Sequence, residues 1–153
     1  MKAITIHQPW ATLIALREKK FETRSWPTKH RGAIAIHAGK KIDKAACEVP
    51  DIKAALARHG YTADNLPTGA VVAKAELLDS HTIFNTADNG IHVIHSTDAR
   101  VEWIYNNEKA FGWYDEGRYA WELDNVRMLP EPIPAKGQQG LWNWDGGIHE
   151  ALV

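Results

Sequence analysis

The strongest constraint on the fold is a series of short runs in which apolar residues alternate with small or polar ones, without a regular helix between each pair. Lys2 to His7 reads KAITIH, Gly32 to Lys40 reads GAIAIHAGK, and Ala70 to Leu78 reads AVVAKAELL. Tyr119, Trp121 and Leu123 alternate in the same way, and Leu141 to Trp144 closes the series. A period of two belongs to strands that bury one face. A doubly wound parallel sheet requires strand and helix to alternate to the end of the chain. Here only the opening does so.

Helix signals are few. Pro9 suits a first helical turn, where a missing N–H costs nothing, and Trp10, Leu13, Ile14 and Leu16 form an apolar stripe ending near Lys19. Ile42 to Arg58 reads helical, with Pro50 dividing it. Ser96 or Thr97 is placed to cap a helix starting at Asp98 and turning Val101 and Ile104 inward. Asp79 to Thr97 reads as a surface excursion with one extended piece at Ile91 to Ile94, and Pro130, Pro132 and Pro134 argue against regular structure. Five or six strands with two or three helices predict a mixed α+β fold: a small β-barrel with helices over its openings, in one domain spanning residues 1–153.

The single cysteine, Cys47, leaves no internal disulfide, so a reducing compartment is expected. No apolar run is as long as a membrane span and the amino terminus lacks a signal-peptide core, so the expectation is a cytoplasmic protein without a membrane partner. The net charge of −1 argues against a binder of bulk polyanion. That average hides an asymmetry: residues 1–41 hold nine Lys and Arg against two acids, and the remainder holds nine against seventeen. If folding keeps them apart, the positive face steers an anion; if folding mixes them, nothing is steered.

Three constellations carry candidate chemistry, all in the first forty residues. In Lys19-x-x-Glu22-x-Arg24, an extended Phe21 to Trp26 puts Glu22, Arg24 and Trp26 on one face. Arg24 can fork onto a phosphate or a base edge, Glu22 can accept from an exocyclic amine or act as a base, and Trp26 can stack. The same three residues also suit a surface strand with a local ion pair. In the His7-Gln8-Pro9-Trp10 turn, Gln8 can read a base edge, while Trp10 is as well suited to the core. His37-Ala38-Gly39-Lys40 can bring the Lys40 ammonium to a cleft mouth, but the full phosphate-loop pattern is absent, which excludes a nucleoside triphosphatase of that class. His92-x-x-His95, with His81 nearby, is a weak metal signal without Cys or H-E-x-x-H support, so neither metal nor cofactor is expected. No nucleophile elbow is present, and Cys47 suits packing.

The run ITIHQPWATLIALREKKFETRSWPTKHRGAIAIHAGK resembles the opening of ASCH domains, relatives of the PUA superfamily, and FGWYDEGRYAWELDNVRMLPEPIPAKGQQGLWNW resembles their closing half. The resemblance implies a small PUA-like β-barrel with flanking helices and a cleft for RNA or its components. The family pattern Gly-x-Lys-x-x-Glu-x-Arg falls on Lys19, Glu22 and Arg24, with Arg17 where glycine is usual. The QPW turn, Trp26, Arg118, Tyr119 and Trp121 also match common forms of the family. Some members deacylate N4-acetylcytidine with Lys, Thr and Glu; Lys19 falls on the first of these, but Glu22 occupies the Thr position, and a carboxylate is a poor substitute for a hydroxyl. Others are ribonucleases.

The leading expectation is therefore an RNA- or nucleotide-binding module for single-stranded or modified nucleotides. Arg24 and Lys40 would engage phosphate or base, Glu22 a base amine, Trp26 or Tyr119 would stack, and Gln8 and Arg118 would complete the cleft. The alternative is a hydrolase of RNA or of a modified nucleoside with Lys19 and Glu22 as catalytic groups. A third reading is a protein-interaction domain using the 130–134 loop or exposed aromatics.

Overall fold

The computed structural model describes residues 1–86 and 90–147. The chain opens with strand β1 (Lys2–Gln8), helix α1 (Trp10–Ala15), β2 (Phe21–Arg24) and β3 (Gly32–Ile42). Two short helices follow, α2 (Lys44–Cys47) and α3 (Pro50–Ala57), then β4 (Ala70–Asn85), β5 (Ile91–Ile94), β6 (Val101–Ile104), helix α4 (Asn106–Phe111), β7 (Tyr119–Pro134) and β8 (Leu141–Asn143). The strands form one sheet in the order β2-β7-β4-β3-β1-β8, with β5 added to β4 and β6 added to β5. Only β1 and β3 run parallel, and α1 lies in the connection between them.

The expected barrel is not formed: β2 and β8 end the sheet and do not pair, so the sheet stays open. The inward residues explain why. Ile4, Ile6, Ile34, Ile36, Leu77, Trp121 and Leu123 from four strands pack with Ala11, Ile14 and Ala15 of α1 in one buried cluster. The helix covers the apolar face that a barrel would have to bury against its own far side.

Three local expectations also change. The run of prolines lies inside β7, which pairs through Ala70↔Pro134 and Val71↔Ile133. At this end of the strand Ala135 N–H bonds to Gly69 O, so Ile133 and Ala135 face β4 while Pro132 and Pro134 turn their missing N–H to the other edge, and Pro130 lies in the register shift between Met128 and Ile133. That edge meets β2 only as far as Glu122, so beyond it proline removes no ladder bond. The helix expected from Asp98 is instead β6, recruited by β5 through His92↔Trp103 and Ile94↔Val101. Thr97 and Ser96 cap nothing; their hydroxyls donate to the Asp79 carboxylate, from Thr97 at 2.6 Å. Much of the expected surface excursion is the continuation of β4, where His81 is buried. By contrast, Pro50 does divide the 42–58 segment, and the Asp43 side chain caps α2 by accepting from Ala46 N–H at 3.0 Å. The chain's last residues, 148–153, lie outside the described region.

Candidate nucleotide-binding cleft

A cleft of about 840 Å³ opens between the end of β1, the strand β2, and the loop that follows α4. Its volume is in the range of small-ligand sites. Thr5 to His7, Trp10 and Lys19 line one part, and Glu22 to Trp26 line another. Ala110 to Trp113, Arg118 and the Gln138–Gly140 loop complete it.

The cleft owes its polar centre to β2. This strand is four residues long, and its alternation puts Phe21 into a core with Ile83, Val93, Ile104 and Tyr114. Glu22 and Arg24 fall on the same face as each other. Arg24 holds Glu22 through Nε at 3.1 Å and through its terminal nitrogen at 3.0 Å to Oε2, and it donates to Thr5 O at 2.7 Å. The guanidinium therefore ties β2 to β1 across the cleft. Trp26 packs edge-on against the buried Trp121, with ring centroids 4.8 Å apart at 85°, and its carbonyl accepts from the Trp121 indole N–H at 3.3 Å.

Lys19 is the most unusual member, a lysine that is 1% exposed. Its ammonium donates to Phe111 O at 2.8 Å, capping the end of α4. Burial pulls its pKa below the ordinary lysine value, and the negative charges of Glu22 and Glu108 oppose that pull. Two residues before it, Arg17 has φ of 63°, a left-handed conformation that a β-carbon disfavours. Glycine, which the ASCH resemblance leads one to expect at this position, would adopt that conformation without the cost. Arg17 is held there by donating from Nε to Val126 O at 2.9 Å.

Beside β2, the Arg118 guanidinium lies 4.0 Å over the Trp113 ring and donates to Trp113 O at 3.0 Å and to Thr23 O at 3.3 Å. Burial lowers the Arg118 pKa, Asp115 and Glu22 raise it, and Arg24 lowers it. Trp113 is 61% exposed, so its ring is open to a ligand.

Of the residues expected from sequence, the cleft brings together Lys19, Glu22, Arg24, Trp26 and Arg118. Gln8, Lys40 and Tyr119 do not line it. Gln8 is fully buried: its amide donates to Thr12 Oγ1 at 2.7 Å and Pro67 O at 2.8 Å, and its carbonyl accepts from Thr12 N–H at 2.9 Å. Tyr119 packs on the main core, and Lys40 is exposed near the Gly69 turn. Sequence reasoning missed Trp113 and the Gln138–Gln139 loop. The available signal for Trp113 was an aromatic residue between Gly112 and Gly117, a stretch built to stay a loop.

The ASCH domain model matches residues 4–133. The chain belongs to the ASCH domain family. Two similar proteins are Activating signal cointegrator 1 from Homo sapiens, 23% identical over 151 residues, and from Mus musculus, 24% identical over the same length. In both cases the match covers 96% of this chain but 23% of the relative, so the chain spans less than a quarter of those proteins. Within the ASCH match, the Lys19, Glu22 and Arg24 pattern coincides with the floor of the cleft. Among the described residues, no helix is long and apolar enough to cross a membrane.

Proposed function

We propose that the cleft binds RNA or its components by taking an unpaired nucleotide between the Glu22–Arg24 pair and the Trp113–Arg118 wall. The observation that carries this reading is the pairing itself. A carboxylate and a guanidinium lie side by side in a partly buried site, and a stacked indole and guanidinium from another segment line the same cleft. A base edge offers an amine to Glu22 and acceptors to Arg24, and its ring offers a face to Trp113. Those groups are engaged in duplex nucleic acid, so the ligand is single-stranded or a free nucleotide. Titration of the intrinsic tryptophan fluorescence with short RNAs and nucleotides at fixed low salt tests the reading. Arg24→Ala and Trp113→Ala should each weaken binding about tenfold or more. Equal affinity for wild type and both variants refutes it.

A second reading, hydrolysis of an amide on a modified nucleoside such as N4-acetylcytidine, is favoured by the buried Lys19. An amine whose pKa burial lowers is closer to the free-base form that proton transfer or attack requires. Glu22 is the carboxylate beside it in the cleft. Turnover of N4-acetylcytidine that is lost in Lys19→Met supports this reading, and no turnover above the uncatalysed rate removes it. Ribonuclease activity is tested on the same samples with short RNAs.

A further inference from the structure

Away from the cleft, the β4–β5–β6 extension buries a polar cluster to which neither reading above assigns a role. His81 on β4 is fully buried, His95 just after β5 is 5% exposed, and Glu122 on β7 reaches them from the neighbouring strand. One ligating atom from each of the three lies within 4.8 Å of the other two. The two imidazoles stack with centroids 3.8 Å apart at 29°. His81 Nε2 is 2.7 Å from Glu122 Oε1, and His95 Nε2 is 2.9 Å from Glu102 Oε1. Both ε nitrogens therefore point at carboxylates.

A second observation concerns the far side of His81. Its Nδ1 is buried and lacks a hydrogen-bond partner, with Asp79 Oδ2 at 3.6 Å. A buried polar atom without a partner is costly and rare. Carboxylate beyond histidine is the arrangement that orients a metal-bound imidazole: the outer N–H turns to the carboxylate and leaves the other nitrogen for the ion.

We propose that His81, His95 and Glu122 form a binding site for a divalent transition-metal ion of the zinc class. Glu102, beside His95, or a water molecule takes the fourth position. The donor set of two imidazoles and a carboxylate selects against magnesium and calcium, which take all-oxygen shells. Zinc bonds of about 2.0–2.2 Å place tetrahedral ligands roughly 3.4 Å apart, so separations of up to 4.8 Å need to close by about 1.4 Å at most. The ion ties β4, β7 and the segment after β5 at one point. Binding at His95 Nε2 requires a proton on Nδ1, so the Arg100 contact there, 3.0 Å, must release. Arg100 is free to do so, since its side chain is 67% exposed.

The test uses the full chain without an affinity tag, stripped with a chelator and dialysed against Zn²⁺. The expected result is one ion per chain, a rise in melting temperature that the chelator reverses, and at least tenfold weaker binding in His95→Ala and in Glu122→Gln. His59→Ala, which alters an exposed histidine outside the cluster, should bind as wild type. Co²⁺ added to the wild type gives a reading that does not depend on any variant folding, and intense tetrahedral d–d bands are expected. No stoichiometric Zn²⁺, affinity undiminished in His95→Ala, or only weak octahedral Co²⁺ bands overturns the proposal.

Discussion

Gln8→Ala should destabilise the protein strongly and leave ligand affinity in the folded fraction unchanged. The side chain is fully buried and makes three hydrogen bonds, to Thr12 N–H, Thr12 Oγ1 and Pro67 O, at 2.7–2.9 Å. These bonds fix the start of α1 to the loop preceding β4. Each is worth about 1 kcal/mol net, and truncation leaves the buried Thr12 N–H and the partly buried Pro67 carbonyl without these partners. The expected loss is about 3–4 kcal/mol. For a chain of this length each kcal/mol moves the melting temperature by about 2–4 °C, which gives a fall of roughly 6–15 °C. Gln8→Glu should cost at least as much, because it presents a carboxylate to the Pro67 carbonyl. Urea denaturation and thermal melts measure the loss, and nucleotide titration below the transition measures affinity. A melting temperature lowered by less than about 2 °C, together with a tenfold loss of affinity, would refute the placement of Gln8 in the interior and return it to the cleft.

Trp113→Ala removes an exposed ring and the Arg118 stack, so stability should fall by less than about 1 kcal/mol while binding weakens; a melt and a titration on one sample separate the two. Lys19 has a folded-state pKa below its ordinary 10.5, so between those values the unfolded chain binds the extra proton and stability rises with pH. Urea midpoints followed from pH 8 to pH 10.5 should show that rise in wild type and a smaller one in Lys19→Met. Gly137→Ala should cost about 1–3 kcal/mol by denaturation, because its new methyl would meet the His37 ring and Thr5 Oγ1 at 2.8 Å. At most the two cleft guanidiniums can reach phosphate, so log K against log salt should fall no more steeply than about −1.4 for a single strand. A slope steeper than about −4 would mean that a wide basic surface is engaged.

The sheet was largely legible because its period is local. Ile4 and Ile6, Ile34 and Ile36, and Trp121 and Leu123 announce their inward faces by position alone, and all are buried. Barrel closure was not legible, because it depends on whether two edge strands meet, and a four-residue β2 and a three-residue β8 carry no pattern that says so. The 98–104 segment was misread for a related reason. Val101 and Ile104, three apart, share a face on a helix but not on a strand, where Val101 is exposed and Ile104 buried; the deciding fact is the edge that β5 offers across the sheet. For the prolines of β7, the rule against proline in strands holds only where both edges are paired, and edge status is a tertiary property. In the cleft, Glu22 and Arg24 were legible from alternation within β2. Arg118 was expected there only through the family resemblance, and Trp113 was not expected, since both arrive from a loop about ninety residues further along the chain. The His92-x-x-His95 spacing misleads in an instructive way. Residues three apart on a strand face opposite sides, so His92 packs between Phe84 and Trp103 while His95 stacks on His81.

The basic amino-terminal segment shows how such a charge excess is resolved by folding. Lys20 pairs with Glu102, Arg31 with Asp79, and Arg24 with Glu22, while Lys40 and Lys41 are exposed. Folding mixes much of the two-signed sequence. Of the nine bases in residues 1–41, only Lys19 and Arg24 line the cleft, and each is already engaged with a protein acceptor. Arg118 joins them from the acidic part of the chain. A cleft made this way has little long-range field with which to steer a polyanion. Its discrimination has to come from direction: a guanidinium held in plane by Glu22 and Thr5 O, and an indole held under Arg118. Such groups distinguish the edge and face of one base from another, and they gain little from additional phosphates along a strand. The same reasoning makes Glu22 the position on which the two readings divide. As a partner of Arg24 it is a recognition group, and only a substrate that displaces that guanidinium would make it a base.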